Sequence, residues 1–159
     1  MRLARAIRLD DSDEHVFERA ALPGEWTIPG TFAFSDWSED DLTGKARQAF
    51  ANGWLGLESF GRCTFVVVTA ITEDEYAAQV EALSRHFVAE WGAPSPDAAR
   101  PVAEDELAHM RAMCEDHPEN TLLVVSRELV AAGVHEQFRA ITPVEASLEQ
   151  IVMPVPDEG

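Results

Sequence analysis

Cys63-Thr64-Phe65-Val66-Val67-Val68-Thr69-Ala70-Ile71 is the longest β-branched and aromatic run in the chain. Both alternating sets of positions are apolar, which reads as a strand covered on its two faces. Thr72-Glu73-Asp74-Glu75 follows directly. Thr72 suits an N-cap and Glu75 the third helical position, the pattern of a capping box, while Ile71 and Tyr76 stand where a hydrophobic staple would pin the turn. A buried strand feeding a capped helix opens a βα unit. The helix carries Tyr76, Val80, Leu83, Phe87 and Trp91 at helical spacing, with Glu81 and Arg85 paired on its wet side. Gly92 and Pro94 stop it.

Downstream, residues 93–100 read as a short proline-rich link. Pro101 suits a first helical position, and Glu104, Asp105 and Glu106 load the start of a further helix. Its buried stripe is Ala103, Leu107, Met110 and Cys114, and His117-Pro118 ends it. Thr121 to Val125 is a second continuous apolar strand. Two buried strands joined through helices favour a parallel pair with a right-handed crossover. Gly133 allows a turn, after which Val134 to Ile141 forms a last strand or a short helix.

Upstream, Leu3 to Leu9 alternates as an edge-type strand. His15 to Ala20, Glu25 to Ile28 and Phe32 to Phe34 extend it into an antiparallel meander, punctuated by Asp10-Asp11-Ser12-Asp13, Pro23-Gly24 and Pro29-Gly30. Ser38 caps a helix with the stripe Leu42, Ala46, Ala49 and Phe50, ended by Asn52-Gly53. The expectation is a single α/β or α+β domain over residues 1–142. It has a mixed sheet, an N-terminal antiparallel meander and about three helices packed on it. Residues 143–159 are expected to form an extended or partly disordered tail.

The 159 residues are 46% apolar, enough for a core, with a formal net charge of −17 and a sequence pI near 4.5. Such a field repels phosphate backbones and anionic membrane surfaces, so no nucleic-acid and no membrane partner is expected. A basic protein or a cation would be attracted. Cys63 and Cys114 have no CxxC neighbour, and no stretch approaches the roughly 20 apolar residues of a membrane span. Met1 to Arg5 lacks the apolar core of a signal peptide. A cytoplasmic protein with inert thiols is expected.

Few constellations suggest chemistry. Glu106-Leu107-Ala108-His109 has the Glu-x-x-His spacing of carboxylate-bridged di-iron bundles, but no second copy exists to complete it. Cys114 and His117 lie one turn apart, and a zinc site would need two more ligands. Asp10, Asp11, Asp13 and Glu14 lack the glycine and distal glutamate of a calcium loop. GxGxxG, Walker A, HExxH and GxSxG motifs are absent, and Gly53-Trp54-Leu55-Gly56 has no lysine or helix start after it. No catalytic residue, cofactor or metal ligand is therefore assigned. Ligands of open α/β sheets bind beyond the carboxyl ends of parallel strands, which makes Thr69, Thr72, Arg127 and Glu128 the ligand-binding candidates. Arg127 could grip a carboxylate in a bidentate pair; the plainer reading pairs it with Glu128 at the strand end. Exposure of Trp54 beside Phe60 would point to a protein interface.

The segment Ala49-Phe50-Ala51-Asn52-Gly53-Trp54-Leu55-Gly56-Leu57-Glu58-Ser59-Phe60-Gly61-Arg62 resembles part of a small proteobacterial family of unknown function. His117-Pro118-Glu119-Asn120-Thr121-Leu122-Leu123 is similar to a second part of it. The resemblance implies a free-standing domain and brings no activity or catalytic residue. The expected function is an accessory or protein-interaction domain without catalysis, acting as a homo-oligomer or with a protein partner. The alternative is a small-molecule-binding domain or enzyme using the strand ends near Thr69 and Arg127.

Glu106, His109, Cys114 and His117 share one helix, and their spacing scatters them around it, so four bonds of about 2.0–2.3 Å to one centre are out of reach. Elemental analysis of the purified protein should find no stoichiometric zinc or iron. A stoichiometric metal lost in His109→Ala would overturn that expectation.

Overall fold

The computed structural model describes residues 1–141, so the expected tail lies outside the described residues. In chain order the elements are β1 (Arg2–Ile7), α1 (Asp13–Val16), β2 (Trp26–Ile28), α2 (Gly44–Asn52), β3 (Trp54–Gly56), β4 (Arg62–Cys63), β5 (Phe65–Ala70), α3 (Glu73–Trp91), α4 (Pro96–Glu115), β6 (Leu122–Val130) and β7 (Gly133–Ile141). Two 3₁₀ turns, Thr31–Phe34 and Glu39–Asp41, sit between β2 and α2. The strands form one sheet in the order β4-β3-β2-β1-β5-β6-β7, and every ladder in it is antiparallel. The result is a single domain mixing helices and strands around one sheet.

The central unit begins as its residues dictate. The Thr72 hydroxyl accepts from the Glu75 N–H at 3.1 Å, and the Glu75 carboxylate accepts from the Thr72 N–H at 3.0 Å. Gly92 closes α3 in the left-handed region at φ 79°. Val66 and Val68 are fully buried, in one core with Ala4, Ala6, Leu123 and Val125. Val80, Leu83 and Phe87 of α3 and Ala99, Ala103, Leu107, Met110 and Cys114 of α4 join the same core. Cys63 and Cys114 are both buried free thiols. Burial pushes the Cys114 thiol up to about 12 and raises Cys63 as well, which makes both inert at neutral pH.

Several expectations need correction. β5 and β6 are antiparallel, not a parallel crossover pair. The reason is the connection: α3 runs away from the end of β5 and α4 runs back along it, so the chain returns to the end it left. Asn120 N–H to Val68 O (2.8 Å) and Val68 N–H to Thr121 O (2.9 Å) record that return. The alternate positions Phe65, Val67 and Thr69 are half-buried, so only one face of β5 is fully covered. Of the residues expected as a second strand, Ala20 makes only an isolated bridge to Arg62, and His15 and Val16 belong to α1. The buried Asp13 carboxylate there accepts from the Thr64 N–H and hydroxyl at 3.2 and 2.7 Å, which pins a turn where a strand would need ladder partners. Phe32 to Phe34 lie in a 3₁₀ turn, because Gly30 adopts φ 65° and turns the chain out of the sheet. Ser38 caps the 3₁₀ turn Glu39–Asp41, its backbone N–H donating to Asp41 Oδ2 at 2.8 Å, and α2 starts later, after Thr43. α4 starts at Pro96 behind a Ser95 N-cap whose hydroxyl accepts from Ala98 N–H at 3.1 Å, leaving Pro101 inside the helix. Trp54 is fully buried, with its ring 5.6 Å from that of Phe138, so it offers no interface.

One departure from regularity positions everything that follows. β6 pairs with β5 only at Leu123↔Val66 and Leu122↔Val67, yet pairs with β7 along its whole length. Beyond Leu123, β6 therefore leaves the sheet centre. The end of α2 fills the gap, where the Asn52 amide donates to Val125 O at 3.0 Å.

Phe87 is 8% exposed and its ring meets Phe32 edge-on at 5.1 Å. Phe87→Ala should lower unfolding stability by about 3–5 kcal/mol, as for other large-to-small core changes. A denaturant midpoint unchanged within error would reject this packing.

Candidate functional site

The gap beside β6 is sutured by two arginines. Arg127 projects from β6 on the same side as Leu123 and Val125, with its side chain fully buried. It donates to the carbonyls of Phe50 (2.9 Å), Gly53 (3.0 Å) and Pro29 (2.7 Å). Arg62, from β4, donates to Pro29 O (3.0 Å), Gly53 O (3.1 Å) and Gly30 O (3.0 Å). Two carbonyls thus serve both guanidiniums, and the Phe34 ring lies 4.6 Å from one and 5.2 Å from the other. Burial and the nearby Arg127 push Arg62 down to about 9, still charged at neutral pH. Burial lowers Arg127 too, and Glu136 opposes the shift.

Arg127 also fixes a carboxylate. Its Nε donates to Glu136 Oε2 at 2.7 Å, and the Thr31 hydroxyl donates to the same oxygen. β6 and β7 form a hairpin in which residue 127 faces residue 136. Glu136 lines a cleft of about 450 Å³ together with Thr31, Ser35, Glu106 and His109; Pro29, Phe32 and Val134 form apolar walls. α4 supplies Glu106 and His109, brought one turn apart by the Glu-x-x-His spacing. Burial raises the Glu106 carboxyl above its ordinary range; His109 pulls it back and Glu136 adds to the rise. The cleft therefore holds one oriented carboxylate, one carboxyl that takes up protons readily, an imidazole and two hydroxyls. Such a set can bind a cationic, hydrogen-bond-donating group and exchange a proton with it. Among the described residues no group of three or more His, Cys, Asp or Glu side chains could hold a metal ion.

The strand-end candidates are dispersed. Arg127 stands behind the cleft wall, engaged with Glu136 and not with Glu128. Glu128 is exposed and lies 3.3 Å from His135 Nδ1. Thr69 pairs with Leu3 in the sheet and Thr72 caps α3. Because β6 starts beside the end of β5, the ends carrying Thr69 and Arg127 lie at opposite ends of that antiparallel pair, and no single site unites them. Glu136, Thr31 and Ser35 escaped sequence reasoning. The turn at Gly133 was a usable signal for Glu136, since a tight hairpin there sets Arg127 opposite it. Thr31 and Ser35 gave no such signal.

The fold and cleft define a mixed α/β domain in which α4 and the loop after β2 enclose a carboxylate-lined recess. The chain matches a family of unknown function, DUF6505, over residues 1–157, and it belongs to that family. No curated protein and no solved structure matches it. No described helix is long and apolar enough to cross a membrane.

The Glu106 environment makes a pH prediction. Its folded proton affinity exceeds the unfolded one, so the folded state holds more protons above the ordinary glutamate range, and stability from this group falls as pH rises. Glu106→Gln removes that loss. Its stability relative to the native chain should therefore increase between pH 4 and pH 7 in paired thermal melts. A difference independent of pH would show that Glu106 is not displaced from its ordinary range.

Proposed function

We propose that this domain binds a small ligand bearing an amine or guanidine group in the cleft between α4 and the Thr31–Phe34 turn. The observation that carries the reading is the Glu136 carboxylate, held by Arg127 and Thr31 on a wall that also presents Glu106 and His109. Both fixed bonds fall on Oε2, and Oε1 accepts none from the described residues. A ligand cation would supply the partner that burial denies Glu106. The overall charge of −17 draws cations toward the protein from solution. Phe32 and Pro29 suit a short aliphatic stem beside the charged head. The reading adopts small-molecule binding but moves the site from the strand ends to the cleft.

An accessory domain that docks a protein or a second copy is the second reading. It is favoured by Ile7, Val67 and Val124, partly buried around Leu122 and Ile141 in an apolar cluster separate from the main core. Either role fits a cytoplasmic protein whose thiols are buried and unreactive.

Titration calorimetry and NMR with agmatine and putrescine test the first reading. Saturable binding should shift cleft resonances and tighten with rising pH as Glu106, whose carboxyl burial raises, gives up its proton. Glu106→Gln should weaken it about tenfold, the scale of one charge-assisted hydrogen bond. Absence of binding at millimolar amine, or affinity equal in Glu106→Gln, would refute the assignment.

A further inference from the structure

A second recess lies along α3, separated from the cleft by the edge-to-face contact of Phe32 and Trp91 at 5.6 Å. It is a groove of about 550 Å³ whose lining includes Arg19, Phe60, Arg85, His86, Glu90 and Trp91. That volume lies within the usual range for small-ligand pockets. Three observations mark it as more than an irregular surface.

The first is the aromatic platform. The rings of Phe60 and His86 stack face to face, 3.7 Å between centroids and 2° from parallel. Trp91 Nε1 donates to His86 Nε2 at 3.4 Å, and Trp91 as a residue is 49% exposed. The second is how Phe60 is held. It adopts φ 57°, the left-handed region that a bulky residue enters only under constraint. The constraint is the buried Glu25 carboxylate, which accepts from Glu58 N–H (2.8 Å), Ser59 N–H (2.9 Å), Ser59 Oγ (2.6 Å) and Leu22 N–H (2.5 Å). The third is charge. In a chain of net charge −17, two guanidiniums line this one groove. Arg19 donates to Ser59 O at 3.2 Å beside Phe60 and forms no ion pair with a carboxylate among the described residues. Arg85 is exposed and shares the Glu81 carboxylate with Arg100, leaving donors of its own. Glu90, the acidic lining residue, follows Arg85 by five positions, about 7.5 Å along the helix, beside Trp91.

We propose that this groove binds a small aromatic anion, its carboxylate between Arg19 and Arg85 and its ring against the Phe60–His86–Trp91 platform. Guanidinium forks match carboxylates bidentately, and an aromatic surface adds stacking area for a planar ring. The site is independent of the amine cleft, on which this inference does not rest.

The test uses the full chain and 1-naphthoate, followed by ¹H–¹⁵N NMR at the Trp91 indole N–H and the amides of residues 59–61 and 85–91. Saturable shifts should concentrate there. Arg19→Ala/Arg85→Ala should weaken binding about tenfold or more. Both side chains are exposed, so that variant should keep its fold, which its amide spectrum will report. The uncharged analogue 1-naphthalenemethanol should bind at least about tenfold more weakly. Lack of saturable shifts at these residues would overturn the proposal. So would unchanged affinity in the double variant, or equal affinity for the alcohol.

Discussion

Two buried guanidiniums sharing the carbonyls of Pro29 and Gly53 are the constraint around which this molecule closes. β6 diverges from the sheet after Leu123, and an open gap would expose unpaired backbone from two directions. Arg127 enters from β6 and Arg62 from β4, and between them they bind the end of α2 and the loop after β2. Like charges so close repel, and burial adds to that penalty. Five carbonyl hydrogen bonds from Nη atoms within 3.0 Å, the Phe34 ring and one carboxylate offset it. The planar fork of arginine suits this task, since one side chain can bond several carbonyls at fixed angles where a lysine ammonium could not.

The cleft follows from that closure. The residue that joins β6 to the loop also orients Glu136, so the wall of the recess and the integrity of the fold depend on one side chain. α4 then contributes Glu106 and His109 from a helix whose buried stripe is set by packing on the sheet. The groove on the far side of Phe32 and Trp91 is built differently. There a buried carboxylate, Glu25, holds a loop in a conformation that places Phe60 flat on His86. One recess is acidic and the other carries arginines, so their ligand preferences should be opposite in charge.

Local chemistry was legible wherever neighbouring residues decided the outcome. The Thr72–Glu75 box, the helical spacing of α3 and the β6–β7 turn at Gly133 all follow from residues close in sequence, whereas the covering of β5 on one face only did not. Errors arose where longer-range geometry overruled a local signal. Pro101 is a good helix starter, but Ser95-Pro96 offered an earlier start, and packing of Ala99 and Ala103 extended the helix through the proline. His15 to Ala20 could have been a strand until Asp13 found Thr64 across the fold.

The sequence by itself determined the class of the domain, its principal helices and strands, most of its core and the inertness of its thiols. These depend on periodicity, capping and composition, which act over a few residues. Tertiary structure alone decided the direction of β6 and the place of Arg127. Both helices between β5 and β6 are legible locally, but whether the second folds back along the first is set by their packing on the sheet, and that decides at which end the chain comes back. It also decided the company of Glu106 and His109. Their partners Thr31, Ser35 and Glu136 lie far away in sequence, and only the closure of the sheet around Arg62 and Arg127 brings them to one cleft.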